Sequence, residues 1–134
     1  VKDLGADEVT DFQNASEVVE RVSNGRMADI VIDPLGSGTM ELSMKLLGLN
    51  GKLITFGALT GDELKVPIRT LYSKQLKLIG STGGTRRELL DIIKLANDEK
   101  FKVKIWKKYS LDQGIEALTS LFSKERDGKI MITI

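Results

Sequence analysis

Apolar and polar positions along this chain switch between a two-residue and a 3.6-residue period, and the switches predict strands and helices in turn. Residues 8–12 (EVTDF) read as a short strand. Asn14 is placed to cap a helix from Ala15 to about Ser23, with Glu17 three residues on completing a capping box. Residues 28–33 (ADIVID) form a nearly continuous apolar run, the pattern of a strand covered on both faces. A second helix is expected from about Thr39 to Leu47, ending at Gly48, and residues 51–56 (GKLITF) make the next strand. Residues 64–66 look extended, Pro67 is suited to open a short helix, and residues 76–79 (LKLI) are another strand. Thr85 and Glu88 make a second capping box, after which Leu89, Ile92, Ile93 and Ala96 recur at helical spacing, so this helix is expected to pack that face on a sheet. Residues 102–106 (KVKIW) are a further strand. Ser110 and Gln113 cap a helix carrying Ile115, Leu118 and Phe122, and residues 129–134 (KIMITI) close the chain as a strand.

Strands separated by helices require crossovers, which implies a mainly parallel sheet in an α/β fold. At 134 residues the chain suits one domain with a buried core. A net charge of +1 and a pI near 8.1 leave no basic stripe to attract a nucleic-acid backbone. The absence of Cys and His excludes a disulfide framework, a thiolate metal site, and imidazole as ligand or general base. The apolar runs are far shorter than the roughly 20 residues needed to span a bilayer, and no signal-peptide pattern opens the chain. A soluble, cytoplasmic protein with no membrane partner is the expectation.

In an open parallel sheet, ligands bind beyond the carboxyl ends of the strands, so the loops there matter most. Three contain glycine: Asp33-Pro34-Leu35-Gly36-Ser37, Phe56-Gly57-Ala58, and Gly80-Ser81-Thr82-Gly83-Gly84-Thr85. Each lets backbone approach a ligand, although each also reads as a plain strand-to-helix turn. The third leads into a helix N-terminus but matches neither a Walker loop nor GxGxxG. Asp33 stands at a strand end with no His, Cys or second carboxylate to make it catalytic, and before Pro34 it reads as a turn former. Lys129 follows Asp127-Gly128 and is either a point charge for a phosphate or a solvated surface lysine. Trp106, Tyr72 and Tyr109 are too scattered to stack bases.

Leu4-Gly5-Ala6-Asp7-Glu8-Val9, Asp29-Ile30-Val31-Ile32-Asp33, Gly51-Lys52-Leu53-Ile54-Thr55-Phe56-Gly57, Gly80-Ser81-Thr82-Gly83-Gly84-Thr85 and Gly128-Lys129-Ile130, in this order and spacing, resemble the C-terminal part of medium-chain, zinc-type alcohol dehydrogenases. The resemblance implies a truncated Rossmann-type, doubly wound, mostly parallel sheet with helices on both faces. It implies that residues 1–134 are the later portion of an NAD(P)-binding domain with its closing segment, the GxGxxG turn and the N-terminal catalytic zinc domain being absent. Pro34, Leu35 and Gly36 would line the adenosine side of the cofactor. Phe56, Gly57 and Ala58, with Ser81 and Gly83, would present backbone near the nicotinamide carboxamide, and Lys129 would reach the pyrophosphate. No catalytic residue and no metal ligand is implied within the chain, which would be inactive alone. The family interface suggests a homodimer through the stretch from Leu64 to Pro67. NAD and NADP stay undistinguished, as do zinc alcohol dehydrogenases and zinc-free quinone or enoyl reductases.

If the sheet has the dinucleotide-binding order, the first segment has lost its strand neighbours. Residues 1–24 are therefore expected to repack on the remaining sheet, pair with another chain, or be poorly ordered. Two other readings compete. A methyltransferase-like domain would use the segment from Asp33 to Gly38 as an adenosyl loop, but the order of its motifs is wrong. A noncatalytic α/β interaction module differs from a cofactor domain in whether it binds dinucleotide.

Overall fold

A computed structural model of the chain describes residues 2–134, and within it the chain divides into two compact units, one ending at Gly83 and the other spanning Gly84–Ile134. Parallel pairing holds throughout, as the crossover pattern predicted. The strands form a three-stranded sheet of order β1-β2-β3 in the first unit and a two-stranded sheet, β4-β5, in the second.

In the first unit the elements are α1 (Ala15–Val22), β1 (Ala28–Asp33), α2 (Ser37–Leu46), β2 (Leu47–Thr55), α3 (Ile68–Ser73) and β3 (Lys77–Gly80). Strand alternation sends Val31 and Leu53 toward α2, where Met40, Met44, Leu47, Leu53 and Leu76 form the core with Val31, Val66 and Leu71 packed on it. Met44, Leu47 and Leu53 are at most 1% exposed. Ile30 and Ile32 point the other way and are 53% and 62% exposed, so the two-sided cover expected of ADIVID does not extend to them. The strand ends share one row of the register, Asp33 beside Thr55 and Thr55 beside Gly80, so all three following loops leave from a common edge.

Several boundaries differ from expectation. No strand forms at residues 8–12, which lead through a turn into α1. Glu8 instead pairs with Lys2 and Arg21, and those cations hold its carboxyl below the ordinary range, the Arg21 hydrogen bond foremost. Asn14 does not cap α1 with its side chain: its backbone N–H and its Nδ2 both donate to Asp11, and the Asn14–Glu17 box is not made. In the segment before β1, α1 lies against α2 and Ala15 is buried. Val1, the first residue of that segment, lies outside the described residues. Helix α2 starts at Ser37 rather than Thr39, its first N–H groups being taken by the Gly61 carbonyl and by Thr60 Oγ1. Gly48 sits inside β2 rather than beyond the helix, since the strand pairs from Leu47 and passes an irregularity before Ile30 meets Lys52.

The second unit contains α4 (Arg86–Asn97), β4 (Ile105–Ser110), α5 (Gly114–Ser120) and β5 (Lys129–Thr133). The Thr85–Glu88 capping box is present: Glu88 Oε2 accepts from the Thr85 N–H at 2.6 Å, and Thr85 Oγ1 accepts from the Glu88 N–H at 3.3 Å. The face it launches is not packed as expected. Leu89, Ile92 and Ile93 are 56%, 52% and 47% exposed. Spacing selected the stripe correctly but not a cover for it. Strand β4 begins at Ile105, not Lys102, because its partner β5 becomes available only at Lys129. Helix α5 buries Ala117 and stops at Ser120, leaving Ile115, Leu118 and Phe122 exposed, while Tyr109 is buried with its hydroxyl 2.6 Å from Ser120 Oγ.

Candidate functional site

Asp33, 3% exposed, organises the first of the loops at the strand ends. Its Oδ1 accepts from the N–H groups of Leu35 (2.8 Å) and Gly36 (3.2 Å), and its Oδ2 accepts from Thr39 Oγ1 (2.8 Å) and Ser43 Oγ (2.7 Å). Burial pushes the carboxyl pKa up, but the Ser43, Leu35, Thr39 and Gly36 donors together outweigh it and hold the group below its ordinary value. The carboxylate thus folds Pro34-Leu35-Gly36 over the start of α2, as the turn-forming reading required, and has no acceptor capacity aimed at a ligand.

Gly36 is fixed by geometry. Its φ is +93°, and a Cβ there would come 2.5 Å from the Gly61 carbonyl oxygen. That close approach lets residues 60–63 fold back on the start of α2. Thr60 Oγ1 accepts from the Gly38 N–H at 2.9 Å and donates to the Leu35 carbonyl at 2.8 Å, and Ser37 Oγ donates to the Glu63 carbonyl.

The result is a hollow of about 420 Å³ at the strand-end edge. Of the residues singled out by sequence, Gly36, Phe56, Gly57, Ala58 and Ser81 line it together. Ser81 is held there by its N–H, which donates to the Thr55 carbonyl at 2.8 Å. Pro34 and Leu35 support the wall from behind: the Pro34 carbonyl abuts Gly57, and the Leu35 carbonyl receives Thr60. Gly83 has no neighbour within reach of a side chain, and Lys129 belongs to the second unit, where it lines a separate hollow. Met40 and Gly61 also line the first hollow and were not singled out, while Ser37, expected in the first loop, and Leu64, expected at a dimer interface, line it as well. A neighbouring space of about 750 Å³ runs along Leu64, Lys65, Val66 and Pro67.

A hollow of this size, walled by Met40, Phe56 and Leu64 with serine and glycine and with Asp62 and Glu63 at its lining, suits a flat, partly polar ring. The family model for zinc-binding dehydrogenases matches residues 1–98. The chain belongs to the zinc-binding dehydrogenase family. Among relatives, it is 30% identical over 132 residues to the D-arabinose 1-dehydrogenase (NADP(+)) of Saccharolobus solfataricus, covering 98% of this chain and 37% of that protein. It is also 30% identical over 132 residues to an NAD-dependent alcohol dehydrogenase of Sulfolobus acidocaldarius, covering 98% and 38%. The solved thermostable alcohol dehydrogenase of Pyrobaculum aerophilum superposes with a TM-score of 0.82 at 35% identity, over 97% of this chain and 37% of that one. The α/β architecture is that of the Rossmann-type domain in these dehydrogenases. The chain spans a little over a third of the length of the curated relatives it matches.

Zinc, named by the family, does not fit this chain's residues. There is no His or Cys, and among the described residues no three acidic side chains gather to hold a metal. No helix of the described residues is long and apolar enough to cross a membrane.

Proposed function

We propose that this chain is the nicotinamide-side portion of a dinucleotide site in an NAD(P)-dependent alcohol dehydrogenase, acting in hydride transfer between an alcohol and its carbonyl form. One observation carries the reading: the loops after β1, β2 and β3 leave from a single register row and converge on one hollow, the place where open parallel sheets bind ligands. Gly57 and Ala58 offer backbone groups to a carboxamide, and Phe56 and Ser81 flank them. Met40 and Leu64 keep water off one side of the ring, which sharpens any polar contact made there. The adenosine side expected of Pro34, Leu35 and Gly36, held by Asp33, starts at the wall they share with this hollow, Gly83 extends the nicotinamide-side backbone, and Lys129 is proposed by itself, within the second unit, as a point charge for a phosphate. A bound nicotinamide supplies the hydride acceptor.

In this reading residues 1–134 are the later portion of the cofactor domain in a cytoplasmic enzyme. Any zinc of the complete enzyme would be held by residues other than these and would supply Lewis-acid chemistry at the alcohol oxygen, with no residue of this chain as its ligand. A homodimer forms through the stretch from Leu64 to Pro67. Light scattering at high protein concentration should give twice the chain mass, and a monomer would remove the dimer from the proposal.

The test of the cofactor site is a titration of the folded chain with NADH and NADPH into the millimolar range, following nicotinamide fluorescence and heat together. Saturable binding is expected, blocked by Ala58→Trp, which fills the hollow, and weakened several-fold by Lys129→Ala. A folded chain that binds neither cofactor overturns the reading.

A further inference from the structure

Helix α2 opens on a glycine, which has no side chain with which to cap it. Gly36, its N-cap, makes no side-chain hydrogen bond, so the first N–H groups of the helix need acceptors from elsewhere. The loop after β2 supplies them. The Ser37 N–H donates to the Gly61 carbonyl at 3.1 Å, and the Gly38 N–H donates to Thr60 Oγ1 at 2.9 Å. Thr60 thus does from 22 residues away what a Ser or Thr at the N-cap ordinarily does within its own turn. The same hydroxyl donates to the Leu35 carbonyl at 2.8 Å, and the Thr60 N–H donates to that carbonyl as well, also at 2.8 Å. Because a hydroxyl both donates and accepts, one side chain holds both ends of this clasp. Thr60 lies in a turn closed by the Gly61 N–H on the Ala58 carbonyl at 3.2 Å. Gly36 and Ala58 line the hollow of about 420 Å³, whereas Thr60 lines the neighbouring space.

We infer that Thr60 is a positioning residue for the nicotinamide-side hollow: its hydroxyl ties the loop after β2 to the start of α2 and so sets Ala58 against Gly36. The role rests on reading that hollow as the site of the ring, and it goes further in assigning a side chain that stands outside the hollow. Close packing leaves the loop one seat. A Cβ on Gly36 would stand 3.0 Å from Ala58 Cα, and one on Gly38 would stand 3.0 Å from Thr60 Oγ1 and 3.1 Å from Thr60 Cβ. Without the hydroxyl, the Gly38 N–H turns to water, while the Thr60 and Ser37 N–H bonds and the Ser37 hydroxyl on the Glu63 carbonyl persist. Loss of the clasp therefore loosens one wall of the hollow and leaves the fold in place.

The experiment measures NADH affinity of the whole chain by nicotinamide fluorescence, alongside urea unfolding and ¹⁵N amide spectra, for the parent and three variants. Thr60→Val keeps the shape of the side chain and removes both hydroxyl bonds. It should weaken NADH about fivefold, comparable to the loss of one helix cap, and move the amides of residues 35–38 and 58–61 before any ligand is added. Thr60→Ser keeps the hydroxyl and should restore most of the affinity. Gly38→Ala separates positioning from stability. Ala favours a helix over Gly, so the unfolding midpoint should hold or rise, while the added methyl displaces the Thr60 hydroxyl and NADH should weaken as in Thr60→Val. Parent affinity in Thr60→Val, equal losses in Thr60→Val and Thr60→Ser, or a Gly38→Ala variant that keeps parent affinity or loses it together with stability overturns the role. If Thr60→Val fails to fold, the Gly38→Ala result decides alone. A parent chain that binds no NADH overturns the reading of the hollow and the role with it, so the two failures are told apart.

Discussion

Asp33 shows how a residue that looks chemical in sequence is absorbed by structure. Its position before Pro34 marked it as a turn former, and the turn is there, but Thr39 and Ser43, which complete its shell, lie on the next helix and carry no signal that relates them to it. Because four donors depress its pKa below the ordinary Asp value of about 3.9 despite burial, its contribution to stability is present above that value. That contribution is lost as pH falls through the lower folded-state pKa. Asp33→Asn should therefore cost about 1–3 kcal/mol at neutral pH and flatten the acid limb of the stability profile. Urea unfolding from pH 7 down to 2 checks this, and a variant with the parent's slope below pH 4 contradicts it. Lys129 is the opposite case, since its number was legible but not Lys102 and Arg126, which line the same hollow in the second unit. The close approach of Gly128 to the Lys104 carbonyl makes them neighbours.

Elements with a local cause were the legible ones. The Thr85–Glu88 box forms because both partners lie within one turn and need nothing else. The box expected of Asn14 and Glu17 fails because Asp11, three residues upstream, takes the Asn14 donors first. Residues 8–12 have strand-like composition, but a strand needs a neighbour to bond, and an ion-paired turn forms instead. Hydrophobic spacing likewise cannot distinguish a covered stripe from an uncovered one. Leu53 of β2, 1% exposed, and Ile92 of α4, 52% exposed, look equally core-like in sequence. Leu53→Ala should cost about 2–5 kcal/mol through the cavity it leaves. Ile92→Ser should stay within about 0.5 kcal/mol. Equal losses in a thermal or urea unfolding comparison would show that α4 is covered in solution.

At the scale of the whole molecule, family membership and partial length act together. The chain shares the architecture of the family's dehydrogenases yet spans little more than a third of their length, and among the described residues no three acidic side chains gather to hold a metal. If the chain is the cofactor-side portion proposed above, NAD or NADP with zinc should not by themselves support alcohol oxidation by it. Cofactor reduction followed at 340 nm is the check, and turnover by the purified chain would overturn that division of labour. The α/β class, the parallel pairing, the α4 cap and the exclusion of imidazole and thiolate chemistry were all determined by sequence alone, because each depends on local spacing or on composition. Tertiary structure decided the remainder: the burial of Asp33, the convergence of Gly36, Phe56, Gly57, Ala58 and Ser81 on one hollow, the exposure of the α4 stripe, and the basic hollow behind Gly128. These depend on which distant segments come within hydrogen-bond or van der Waals reach, and sequence spacing carries no record of distances closed by strand register and by glycine contacts between backbones.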